Sequence, residues 1–129
     1  MNALKYCTKR RKIGEKIPLC IQKGIYQIRV SEIDFLESEQ RKVHIHLENG
    51  EVLTAYGKIS EMQAMLDDCF CRCSQAVLVN MRNVRSLVHM KFKFLSGNEA
   101  EISQRYYADV RRRFCRYINS ELSGEISDE

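Results

Sequence analysis

Three cysteines at Cys69, Cys71 and Cys73 are the first residues in this chain whose spacing could do chemistry. Structural zinc takes its thiolates as C-x2-C pairs from two separate places. A C-x-C-x-C run in an extended strand instead sets its thiols along one face, and Cys7, Cys20 and Cys115 supply no second pair. The run therefore reads as small buried hydrophobes, with a thiol or metal sensor as the minor alternative. His44 and His46 share a strand face without an acidic ligand pattern beside them, and read as hairpin surface or partly buried rings. Nucleophilic chemistry fares no better: no G-x-S-x-G, Walker or H-E-x-x-H spacing occurs. The carboxylate pairs Glu37/Glu39 and Asp67/Asp68 fall where loops or helix ends would be solvated. No catalytic residue, metal ligand or cofactor is expected, and the chain is not expected to be an enzyme.

A different set of side chains points to binding. Arg41-Lys42, Arg72-Cys73-Ser74-Gln75 and Ser103-Gln104-Arg105 each stand just before a regular element. Arginine can grip guanine bidentately and glutamine can do the same for adenine, so these are residue types that read base edges. Composition by itself still favours ordinary solvent exposure. The net charge is +4, with basic clusters at Lys9, Arg10, Arg11 and Lys12 and at Arg111, Arg112, Arg113 and Arg116. Such clusters attract polyanions, because neutralising phosphates releases condensed counterions.

The elements that must hold these residues follow from patterning. At 129 residues, 44% hydrophobic and 29% charged, the chain suits one globular domain. It divides into a basic leader over 1–16, a body over 17–118 and an acidic tail over 119–129. No run of about 18 apolar residues and no secretion signal is present, so a cytoplasmic location with reduced thiols is expected.

Period-two alternation dominates the body, as in Ile17, Leu19 and Ile21 or Ile28 and Val30. Residues 42–47 and 51–56 form a hairpin across Glu48-Asn49-Gly50. A second hairpin is drawn from Val84 to Leu95 and on to Ile102, turning at Ser96-Gly97-Asn98. A short helix, capped by Ser60, covers Ser60 to Leu66, and a terminal helix from Ser103 carries Tyr107, Val110, Phe114, Tyr117 and Ile118 at helical spacing. The result is a mainly β domain of antiparallel sheets with a mid-chain and a C-terminal helix.

Several ordered stretches resemble the LytTR DNA-binding domain. They are Ile33-Asp34-Phe35-Leu36-Glu37-Ser38, the turn Asn49-Gly50, the block from Phe70 to Asn80, and Ile102-Ser103-Gln104-Arg105-Tyr106-Tyr107. The resemblance spans about Ile17 to Ile118. It implies an elongated arrangement of antiparallel sheets that lies along double-stranded DNA and inserts loops into successive major grooves. It carries base contacts onto Arg41, Lys42, Gln75 and Arg105. Lys58, Arg72, Ser74, Arg82 and Arg85 are expected on the DNA backbone, setting register without reading bases. Asn80 is implied to be structural. The chain departs from the family at Ser74, often His there, at Gln75, often Arg or Lys, and at Ala76, often Ser, which implies altered site preference.

The function so implied is a transcription regulator binding promoter repeats as two copies. The leader from Ala3 to Lys12 resembles a receiver's last helix and linker, which leaves two readings open: a stand-alone regulator, or a response-regulator output domain with a receiver domain or sensor kinase upstream. A protein-interaction module without specific DNA binding is the rival reading.

Overall fold

The computed structural model describes residues 16–21 and 24–127. It opens on a ribbon of β1 (Lys16–Ile21) and β2 (Gly24–Arg29), paired from Lys16 opposite Arg29 to Ile21 opposite Gly24. A single 3-10 turn over Val30–Glu32 leads to β3 (Ile33–Glu39), β4 (Lys42–Leu47) and β5 (Val52–Tyr56). Helix α1 (Ile59–Met65) follows, then β6 (Phe70–Arg72) and β7 (Val77–Asn80). After a second 3-10 turn over Met81–Asn83 come β8 (Val84–Val88), β9 (Lys91–Phe94), β10 (Glu99–Glu101) and the long helix α2 (Gln104–Ser127).

Two further antiparallel sheets organise the body, one five-stranded in the order β5-β4-β3-β7-β6 and one three-stranded in the order β10-β9-β8. Successive side chains on a strand point to opposite faces, so the five-stranded sheet feeds two separate cores. Leu36, Val43, Ile45, Leu53 and Leu78 pack on one side with Ile59, Met62 and Met65 of α1 and with Ile17 and Ile28 of the ribbon. Phe35, Cys71 and Val79 pack on the other with Phe92, Phe94 and Ala100 of the smaller sheet and with Val110 and Phe114 of α2. There the Phe92 and Phe114 rings meet edge to face at 5.2 Å. Strand β3 sends Phe35 into one core and Leu36 into the other, and so fixes α1 and α2 on opposite sides of one sheet.

The expected hairpin at 48–50 is present, with Gly50 at φ +92 supplying the left-handed backbone the turn requires. The region from Val84 to Glu101 differs from the expected single hairpin. It is a three-stranded meander, because the chain also turns at His89 and Met90, with φ 54 and 59. Helix α1 begins one residue earlier than expected, and Ser60 lies inside it. The carboxylate of Glu61 accepts the Lys58 N–H at 3.1 Å, which closes the helix start in place of a Ser60 cap. Helix α2 runs on through Ser127, across most of the residues assigned to an acidic tail. The basic cluster from Lys9 to Lys12 lies outside the described residues.

Candidate nucleic-acid interface

The turns at one end of the five-stranded sheet are stitched together through their backbones. Gln40, at φ 59, and Arg41 form the two-residue turn between β3 and β4 and leave Lys42 paired with Glu39. The Gly57 N–H donates to the Arg41 carbonyl at 3.0 Å, which brings the end of β5, and Lys58 after it, beside that turn. The Ser38 N–H donates to the Ala76 carbonyl at 2.7 Å, placing the β6–β7 loop at the same end of β3. The Ser103 N–H donates to the Cys73 carbonyl at 3.0 Å and ties the start of α2 to that loop. Arg41, Lys42, Lys58, Gln75 and Arg105 are thereby gathered at one end, all exposed, with half-buried Ser74 between them. The Lys42 ammonium lies 5.9 Å from the centre of the Tyr56 ring, within reach of its negative face.

The β6–β7 loop is held tightly although it contains neither proline nor glycine. The Cys73 N–H donates to the Val77 carbonyl at 2.8 Å, and the Ala76 N–H donates to the Ser74 hydroxyl at 3.1 Å. Arg72 contributes three more bonds: Nε to the Ser74 carbonyl at 2.9 Å, Nη2 to the Gln75 carbonyl at 2.6 Å and Nη1 to Gln63 Oε1 of α1 at 2.9 Å. Gln75 sits at the crest of this loop.

Two of the nine expected contact residues lie elsewhere. Arg82 follows β7, with its side chain only 13% exposed and paired with the Asp67 carboxylate; its Nη1 is buried without a hydrogen-bond partner. Arg85 is exposed on β8, two residues beyond Asn83, at the far end of the molecule. At that end Asp34, 1% exposed, accepts from Asn83 Nδ2 at 3.0 Å, Ser96 Oγ at 2.5 Å and Asn98 Nδ2 at 2.9 Å. Asn80, fully buried, donates to the Ile33 carbonyl at 2.9 Å and accepts the Arg82 N–H at 3.2 Å, so its role is structural, as its place in the sequence block implied.

One element near the gathered loops escaped the sequence reading. The Met90 carbonyl accepts the Ile102 N–H at 2.9 Å, which sets the exposed His89 tip close to the start of α2. A turn built on His-Met carries none of the glycine, asparagine or aspartate that normally marks such a site.

The residues first considered for chemistry are occupied structurally. Cys71 and Cys73 are buried in the second core. Interaction with the Cys71 thiol, reinforced by burial, pushes the Cys73 thiol far above the ordinary cysteine range. Burial also raises half-buried Cys69. Glu37 and Glu39 lie on β3 rather than in a loop, where they pair with the half-buried rings of His46 at 3.3 Å and His44 at 3.0 Å. The His46 ring also stacks on Phe35 at 4.1 Å. Among the described residues no group of three or more His, Cys, Asp or Glu side chains could hold a metal ion, and no helix is long and apolar enough to cross a membrane.

A domain of antiparallel sheets presenting cationic and amide side chains from clustered turns is the kind of protein that docks on DNA. The family model of the LytTr DNA-binding domain matches residues 23–114, and the chain belongs to that family. Among solved structures it is similar to the LytTr DNA-binding domain of a Bacillus cereus protein described as a methyl-accepting/DNA response regulator. That likeness has a TM-score of 0.66 at 22% identity, covering 77% of this chain and 95% of that one, and shows the shared fold. No curated protein matches the chain by sequence.

Proposed function

We propose that this DNA-binding domain reads a specific duplex sequence by placing Arg41, Lys42, Gln75 and Arg105 against base edges in successive major grooves. The observation that carries this reading is the gathering of three sequence-distant turns at one end of the sheet, each exposing a side chain suited to base readout. Lys58 and Ser74, between the reading turns, serve phosphates. Arg82 and Arg85 drop out of that role: the first is committed to Asp67 and the second stands at the other end. The unit that does this is the body over 17–118. It acts as a transcription regulator in the cytoplasm, without catalysis of its own, as two copies on repeated half-sites and under the control of a receiver domain or sensor kinase.

Selection of binding sequences from a random duplex pool, at near-physiological salt, tests the reading. The wild-type chain should enrich a repeated motif, and Arg105→Ala should blur one position of it at a cost of about 1–3 kcal/mol on the preferred site. No enrichment over random DNA would instead favour a protein-interaction module. An affinity that barely changes between about 50 and 200 mM salt would do the same, since phosphate contacts lose orders of magnitude over that range.

A further inference from the structure

The sequence alone suggests a phosphate contact at Arg72, but its side chain is turned inward. All three guanidinium nitrogens are engaged, two on the carbonyls of Ser74 and Gln75 and one on the amide oxygen of Gln63. We propose that Arg72, braced by Gln63, is a positioning residue that sets the orientation of Gln75 for base readout. The inference rests on the proposed reading of DNA by the β6–β7 loop.

The geometry carries it in two steps. The other bonds of the loop hold its flanks: Cys73 N–H to the Val77 carbonyl, Ala76 N–H to the Ser74 hydroxyl, and Ser38 N–H to the Ala76 carbonyl. The Gln75 carbonyl, by contrast, is gripped by Arg72 at 2.6 Å. Fixing that carbonyl fixes the peptide plane after Gln75, and with it the direction in which the exposed side chain leaves the backbone. Second, the planar guanidinium can serve three acceptors at set angles, which the point charge of a lysine ammonium cannot reproduce. Because Gln63 lies on α1, the same group joins the reading loop to the helix that starts just after Lys58. The base-reading crest and the phosphate-facing helix start are thus held as one unit.

A phosphate ligand and a positioning residue leave different signatures. Losing a phosphate contact weakens all sequences alike and lowers the salt slope by about one. Losing the clamp blurs the base pair that Gln75 reads and leaves the slope unchanged. The test measures affinity of the full chain for the selected duplex and its single-base variants across a salt series, with Arg72→Lys, Gln63→Leu, Gln75→Ala and Arg72→Lys/Gln75→Ala. Arg72→Lys should reduce discrimination about tenfold at the position blurred by Gln75→Ala. Gln63→Leu should do so more weakly, and the double variant should be no worse than Gln75→Ala. Should Arg72→Lys melt early, Gln63→Leu carries the test, since it leaves both loop carbonyl bonds in place.

The inference is overturned by a loss that Arg72→Lys spreads uniformly over all duplexes, or by Gln75→Ala blurring a position that both Arg72→Lys and Gln63→Leu leave sharp. If Gln75→Ala blurs no position at all, the base-reading role of Gln75 itself fails, a result distinct from failure of the clamp.

Discussion

At the far end of the five-stranded sheet, Asp34 is 1% exposed and accepts from Asn83, Ser96 and Asn98, while Asn80 beside it is fully buried and bonded on both sides of its amide. At the near end, Arg41, Lys42, Gln75 and Arg105 are exposed, and the bonds there run mostly between backbones or from the backbone to Arg72 and Ser74. Both ends are made of turns rich in polar side chains. One uses them to join the two sheets, the other leaves them exposed to solvent. A buried polar group that loses its partner suffers its full desolvation penalty, whereas an exposed one merely returns to water. Substitutions at the two ends should therefore separate stability from binding.

The largest effect is expected from Asp34→Ala. It removes the charged acceptor shared by half-buried Asn83 and Asn98 and by the Ser96 hydroxyl, and should destabilise the fold by about 3 kcal/mol, read as a shifted denaturant midpoint. An unchanged midpoint would remove the contrast between the ends. Next comes Arg105→Ala, whose loss of about 1–3 kcal/mol on the preferred duplex should appear with thermal stability within about 0.5 kcal/mol of wild type. A matching drop in stability would mean that Arg105 supports the fold rather than a base.

Lys58→Ala should weaken specific and random duplexes alike by less than about 1 kcal/mol and reduce the salt slope by about one. Loss confined to one base position would move Lys58 among the readers. Smallest of all is the response to a thiol reagent. Thiolate is the reactive form, and the Cys73 pKa is raised, so at pH 8 this buried thiol stays protonated. Mass-spectrometric mapping should find exposed Cys115 alkylated far ahead of Cys73, with DNA affinity unchanged meanwhile. Rapid labelling of Cys73 in the folded protein would revive the thiol-sensor reading.

Much of the near end was legible before any coordinates, though by resemblance more than by composition, which favoured plain solvent exposure for the same side chains. The match of ordered blocks put Arg41, Lys42, Gln75 and Arg105 in or beside loops, and they are found in turns, at the first residue of β4 and in the first turn of α2. The intramolecular partners of Arg72 and Arg82 were not legible, for a shared physical reason. An arginine next to a loop looks free until the loop's carbonyls or a distant carboxylate are brought to it, and both partners were supplied by folding. The His89–Met90 turn was missed because its left-handed backbone is imposed by the pairing of β8 with β9 and by the Ile102–Met90 bond, against what those side chains prefer.

The sequence by itself determined the strands that alternate cleanly, such as β4 and β5, because a period-two pattern is a local property that reports burial directly. It also determined the Asn-Gly turn, the start of the terminal helix and the family. Only the tertiary structure decided that one sheet would serve two cores, that turns far apart in the chain would meet at one end, and which of the arginines remain free there. Hydrogen bonds between distant residues depend on register and on the placement of whole elements, and no local pattern encodes a partner such as Gln63 for Arg72 or Asp67 for Arg82.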